Sequence, residues 1–214
     1  MIRGGPAGSR RRRMVDRLRA HGITDDRVLG AMAVVPRERF VPSELADVAY
    51  DDHPLPIGGG QTISAPWVVA RMAAALELTG GERVLEIGTG HGYAAAVLAS
   101  CGARVVTVEY DAGLVAAARR CLPAAGVDDV EVRHGDGALG APDRAPFDAV
   151  SIAAMSPGIP PAVLAQLRLD GIVVAPIGEG TDGMLVRQRR GRVEELDAVR
   201  FVRLRGGEPA RRAS

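Results

Sequence analysis

Val84-Leu85-Glu86-Ile87-Gly88-Thr89-Gly90-His91-Gly92-Tyr93 runs from an apolar stretch through an acid into three alternate glycines. That is how a buried strand turns into a helix around a ligand. Glycine permits turn conformations that a Cβ forbids and lets backbone approach a ligand closely, while the helix that follows starts with unpaired N–H groups. An adenosine-type ligand suits such a loop. A dinucleotide fingerprint would put its third glycine at position 93, where this chain has Tyr93, with the glycine at Gly92 instead. S-adenosyl-L-methionine therefore fits better than NAD. A ligand-free tight turn would use the same glycines, so the neighbouring strand ends have to be weighed with it.

Ligands of open α/β sheets bind outside the carboxyl ends of the strands, which directs attention to Glu109 with Tyr110, and to Gly135-Asp136-Gly137. Glu109 lies 17 residues beyond Gly92, close to the roughly 20 expected of an acid that accepts from ribose hydroxyls. Asp136 between two glycines can accept from an exocyclic adenine amine. Either acid alone could be an ordinary strand-end or turn residue. Together with Glu86, Ile87, Gly88, Thr89, Gly90, Gly92 and Tyr93, and in this order along the chain, they mark a cofactor site.

The elements that must carry these residues are readable from periodicity. Met14, Val15, Leu18 and then Val28, Leu29, Met32 recur at helical spacing, with Thr24 and Asp25 placed to cap the second helix and Pro36 to stop it. Tyr50 to Pro66 is rich in proline and glycine and predicts an irregular extended connector. A helix over 66–76 leads to a strand over 83–87. Helix from His91, strand 104–109, helix from Ala112, strand 130–134, strand 147–153, helix from Pro160 and strand 172–177 then alternate as βαβ units. Two closing strands are expected at 184–187 and 199–204, with Asp182-Gly183 as a turn before the first. Apolar runs such as Ile172-Val173-Val174-Ala175 suit a parallel sheet covered on both faces. The fold class is α/β: a doubly wound, mostly parallel, seven-stranded Rossmann-like sheet with an N-terminal helical extension.

The chain has 214 residues, 47% of them hydrophobic, enough for one good core. The expected division is a disordered Arg/Gly-rich tail over 1–13, a single domain over 14–205 and a flexible tail over 206–214. Within the domain, 14–80 supplies helices and a substrate-side loop, 81–178 the cofactor core and 179–205 the last strands. A net charge of +1 argues against nucleic acid as a partner, and the Arg10 to Arg13 run reads as a solvated tail. No run is apolar and long enough to span a bilayer, and the start does not resemble a secretion signal, so a monomer in the reducing cytoplasm is expected. Cys101 and Cys121 lack metal-binding spacing and read as core. The sequence contains no lysine and no asparagine, which rules out a Schiff-base lysine, a P-loop lysine and an Asn-Pro-Pro-Tyr amino-methylation motif.

Three further segments, with the glycine run, carry a resemblance. Val35-Pro36-Arg37-Glu38-Arg39-Phe40-Val41-Pro42, Ala49-Tyr50-Asp51-Asp52-His53-Pro54-Leu55-Pro56-Ile57-Gly58, Gly60-Gln61-Thr62-Ile63-Ser64-Ala65-Pro66 and the glycine run closely resemble protein-L-isoaspartate O-methyltransferases. The likeness extends from about Met14 to Leu204. It implies transfer of the S-adenosyl-L-methionine methyl to the free carboxylate of L-isoaspartyl or D-aspartyl residues in damaged proteins or peptides, whose ester collapses to a succinimide that hydrolyses in part to aspartate. It also implies Ser64 as the substrate-side catalytic residue, flanked by Gln61, Thr62, Ile63 and Ala65, with Val199, Phe201 and Val202 beside the bound peptide. No metal is implied. Since an ordinary carboxylate is ionised at neutral pH, placement rather than deprotonation is the main task. Ser64 also stands where it could cap the helix that begins at Pro66, and Trp67 reads as core packing.

Departures from the family pattern are His91 for a common serine, Ala94 for a frequent glutamine, Ser151-Ile152-Ala153-Ala154-Met155 for a threonine-alanine-rich run, and Arg203 for a usual proline. They bear on substrate range. Two rival activities share much of the text: methylation of ordinary aspartate in a biosynthetic peptide, and NAD-dependent hydride transfer. A protein keeping the fold for binding alone is a third reading.

Overall fold

The computed structural model describes residues 6–206. Helices α1 (Pro6–Ala20) and α2 (Asp26–Val34) open the chain, and Asp25 caps α2 by accepting from the N–H groups of Arg27 and Val28. The Arg10 to Arg13 stretch, expected in a disordered tail, is instead inside α1. The helix forms because its arginines find partners: Arg10 pairs with Asp47 at 2.9 Å, and Arg11 donates to the Tyr50 hydroxyl at 2.8 Å and to the Val34 carbonyl at 2.8 Å. Residues 1–5 and 207–214, the rest of the expected tails, lie outside the described residues.

Short 3-10 turns at Arg37–Phe40 and Ser43–Val48 lead to the supposed connector. It is not irregular: β1 (Leu55–Gly58) and β2 (Gln61–Ile63) pair antiparallel as a hairpin whose Gly58, Gly59 and Gly60 all take positive φ. Three consecutive left-handed glycines make a turn that propensity arguments describe only as a loop.

The core alternates as predicted: α3 (Pro66–Ala75), β3 (Arg83–Ile87), α4 (Tyr93–Ser100), β4 (Arg104–Glu109), α5 (Ala112–Ala124), β5 (Glu131–His134), β6 (Phe147–Ile152), α6 (Pro161–Leu164) and β7 (Leu167–Ile177). The antiparallel β8 (Asp182–Arg189) and β9 (Arg192–Arg200) complete a seven-stranded sheet of order β5-β4-β3-β6-β7-β8-β9. Several boundaries differ from expectation, among them the start of β7, at Leu167 instead of residue 172. Asp182-Gly183 begins β8 rather than forming a turn, and the second closing strand is the polar 192–200 run, paired at the edge where one-sided burial suffices.

Side chains alternate across the sheet. Val84, Ala149, Ile172 and Val174 face the core under α1 to α5, whereas Leu85, Ile87, Val150, Ile152, Val173 and Ala175 face a smaller core under α6 and short 3-10 turns. Burying each valine, leucine or isoleucine side chain among them contributes roughly 1.5–3 kcal/mol. The sheet order reverses between β3 and β6, so the crevice beyond their carboxyl ends is the topological switch point.

Candidate active site

Glycine geometry builds the floor of that crevice. Gly88, Gly90 and Gly92 have φ of +91°, +55° and +97°, a region in which a side chain is strained. They do different jobs. Gly88 lies against Ala153 of the neighbouring strand end, Gly90 faces Ile57 of the hairpin, and Gly92 caps α4, where a Cβ would come within 3.0 Å of Leu122. At Gly137 a Cβ would collide with Ile87 Cγ2, so the backbone there lies directly against the Ile87 side chain. A narrow cradle results, lined by Gln61, Thr62, Ile87, Gly88, Gly90, Val108, Glu109, Tyr110, Gly137 and Ala153 and closed by Val202 to Arg205. Its glycine floor and its acid at the second strand end fit an adenosine carrier.

Glu109, 8% exposed, accepts from the Gly90 N–H at 2.9 Å and from the Asp111 N–H at 3.0 Å. Tyr110 leaves its ring 51% exposed at the mouth. Asp136 accepts from the Ala138 N–H at 2.8 Å and holds the turn after Gly135 that presents Gly137.

Other predicted cofactor residues sit behind the cradle. Glu86 is wholly buried; its Oε2 accepts from the Thr107 hydroxyl at 2.6 Å, and Thr107 in turn meets the Thr89 hydroxyl at 2.5 Å. Burial, opposed by the Thr107 bond and reinforced by the charge of Glu109, pushes the Glu86 carboxyl up to about 8. Tyr93 turns its ring into the core, tilted against Phe40 with Arg37 stacked 4.9 Å from its centroid. His91 Nδ1 meets the Phe40 carbonyl at 3.0 Å, tying the loop to the 35–42 segment, and burial holds its imidazole below the usual value.

Beside the cradle runs an open groove of about 840 Å³, lined among others by Asp52, Ser64, Trp67, Val199, Phe201 and Val202. Cradle and groove share three residues, Thr62, Ala153 and Val202. Ser64 opens onto the groove, as do Thr62 and Ala65, while the Ile63 side chain is buried beneath the hairpin and Gln61 faces the cradle. Ser64 does not cap α3. Ala65 occupies the cap position without a side-chain bond, and the Trp67 N–H is satisfied by Asp52 Oδ1 at 2.8 Å. Trp67 is partly packed on the core yet lines the groove, more than the packing role expected of it.

The sequence reading placed Val202 beside the peptide but assigned no site role to Ala153, which touches both spaces, or to the rest of the strap, 203–205. Ala153 follows β6 at the switch point, so the strand-end rule could have found it. The strap could not be found that way. After β9 the chain turns back, Met155 N–H donates to the Val202 carbonyl at 2.7 Å, Leu204 N–H to the Met155 carbonyl at 2.8 Å, and Arg205 Nη2 reaches the Gly59 carbonyl at 3.1 Å.

A family model described as protein-L-isoaspartate(D-aspartate) O-methyltransferase matches residues 9–209. Protein-L-isoaspartate O-methyltransferase 1 of Rhodopseudomonas palustris (strain HaA2) is 48% identical over 94% of this chain and 85% of its own length. The Yersinia enterocolitica protein-L-isoaspartate O-methyltransferase is 50% identical over 90% of this chain and 94% of its own. A solved protein-L-isoaspartate O-methyltransferase superposes with a TM-score of 0.80 at 28% identity, covering 92% of this chain and 66% of that one. A structure from Plasmodium falciparum, in complex with S-adenosyl-L-homocysteine, shares the fold at a TM-score of 0.78 and 23% identity, over 93% of this chain and 98% of that one. With matching that spans the N-terminal helices, the cradle, the groove and the strap, the chain belongs to the protein-L-isoaspartate(D-aspartate) O-methyltransferase family.

Proposed function

We propose that this protein repairs damaged proteins by transferring the methyl group of S-adenosyl-L-methionine to the free carboxylate of L-isoaspartyl and D-aspartyl residues. One observation carries the reading: a glycine-floored cradle and an open groove meet at Thr62, Ala153 and Val202, with Ser64 on the groove side. S-adenosyl-L-methionine supplies an electrophilic methyl on a sulfonium. Glu109 takes the ribose hydroxyls, Asp136 the adenine amine, and Tyr110 and the backbone of Gly88, Gly90 and Gly137 close on the adenosine. Glu86 and Thr89 support the loop from beneath.

On the acceptor side the carboxylate arrives already ionised, so no general base is required. Ser64 donates a hydrogen bond to one carboxylate oxygen and leaves the other facing the cradle, an orientation effect that can contribute several kcal/mol. Val199, Phe201 and Val202 flank the peptide. The monomeric state and cytoplasmic location expected from the sequence belong to the same proposal. Labelled methyl transfer to matched isoaspartyl and aspartyl peptides tests it: turnover of the isoaspartyl peptide is expected, turnover of aspartyl alone would select a peptide-tailoring role, and activity on neither would sink the repair reading.

A further inference from the structure

Behind Ser64 lies a second, small space. A cavity of about 20 Å³ is lined by Ser64 and Ser151 together with Val69, Met72, Ala73, Ala94, Leu98 and Ala153. Apart from the two serines, every side chain there is apolar. A water needs roughly 10–15 Å³ and two or more polar partners, so the cavity has room for one water and no more. Neither serine hydroxyl has a protein hydrogen-bond partner among the described residues.

Ser151 is 4% exposed, in the middle of the sheet, on β6 beside Glu86 of β3. Glu86 is flanked on its other side by Thr107, whose hydroxyl satisfies Oε2. Its Oε1 is buried with no partner. Ser151 is the register neighbour of Glu86 but does not reach Oε1, so the Ser151 hydroxyl is left to the cavity.

We infer that Ser151 is a positioning residue for Ser64, acting through one water held in the cavity between them. The inference rests on the role given to Ser64 above. The donor and acceptor inventory sets the direction of the chain. The water donates one proton to the Ser64 oxygen and one to the Ser151 oxygen. Ser64 is then left with its single O–H pointing out of the protein, toward the groove where the substrate carboxylate binds. A buried polar pair linked by water is enthalpically close to a direct hydrogen bond.

The test uses Ser151→Ala, Ser151→Val, Ser64→Ala and the double variant of Ser64→Ala with Ser151→Ala. Each is assayed for kcat and KM on an isoaspartyl peptide, with calorimetric binding of S-adenosyl-L-homocysteine as the check on the cofactor half. Losing the bridge in Ser151→Ala should lower kcat/KM about fivefold, with cofactor binding unchanged. Ser151→Val fills the cavity and restores packing, yet should lose at least as much because the water is displaced. The double variant should be no worse than Ser64→Ala alone, since Ser151 acts only through Ser64. Wild-type turnover in either Ser151 variant, or losses that multiply in the double variant, would overturn the inference. Unchanged turnover in Ser64→Ala would instead remove Ser64 from the mechanism, and the bridge with it. Should Ser151→Ala not fold, the valine variant carries the comparison.

Discussion

The backbone N–H of Gly90 donates to Glu109 Oε2 at 2.9 Å, joining the end of the second core strand to the loop after the first. The same carboxylate that faces the cradle therefore also holds the glycine loop in its left-handed turn. Glu109→Ala should weaken S-adenosyl-L-homocysteine binding by about tenfold or more, since hydrogen bonds to a charged group contribute roughly 1.5–3 kcal/mol each. Calorimetry reads it; an unchanged dissociation constant would remove Glu109 from the ribose site.

Gly137 needs its missing side chain for a different reason. Its φ is not positive; the obstacle is Ile87 Cγ2, against which a Cβ would press. Gly137→Ala is expected to cost about 1–3 kcal/mol, the usual range for overpacking, and to lower cofactor affinity because Ile87 and Gly137 both line the cradle. Thermal unfolding with and without S-adenosyl-L-homocysteine measures both effects.

Asp52 satisfies the Trp67 N–H at the start of α3, three residues beyond Ser64. Asp52→Ala should cost about 1 kcal/mol as a lost helix cap and raise KM for the peptide with cofactor binding intact. Asp52→Asn retains a side-chain acceptor and should largely restore KM. Equal damage in both variants would point to the charge of Asp52 instead of its capping bond.

Glu86 makes a prediction with a definite sign. Its carboxyl is raised from 4.5 to about 8, mainly by burial, so the native state holds a proton that the unfolded chain gives up. That contribution to stability is complete below pH 4.5 and is lost as pH rises through about 8. Glu86→Gln carries no such titration. The melting temperature of the unsubstituted protein should therefore fall relative to Glu86→Gln between pH 6 and pH 9, and parallel curves would show that Glu86 is already ionised throughout.

The cradle was legible because its signals are local. Gly88, Gly90 and Gly92 must be glycine for backbone reasons that act within a few residues, and Glu109 and Gly137 follow strands whose apolar runs are plain. Arg10 and Arg11 were misjudged because their partners, Asp47, Tyr50 and Val34, are more than 20 residues away and no spacing rule connects them. Ser64's alternative as a helix cap failed on similar grounds, since Asp52 reaches the position from another loop.

By itself the sequence determined the βαβ order, the strand ends that line the cradle and, through the segment at Gln61 to Pro66, the family. Those are consequences of hydrophobic period and turn chemistry, which are properties of neighbours along the chain. Only the tertiary structure decided that Thr62, Ala153 and Val202 divide cradle from groove, that Arg205 reaches across to Gly59, and that Ser151 shares a cavity with Ser64. These contacts join residues 87 to 146 positions apart in the chain, Ser64 to Ser151 and Gly59 to Arg205. Sheet order and packing place such residues together, and neither is encoded in any short stretch of residues.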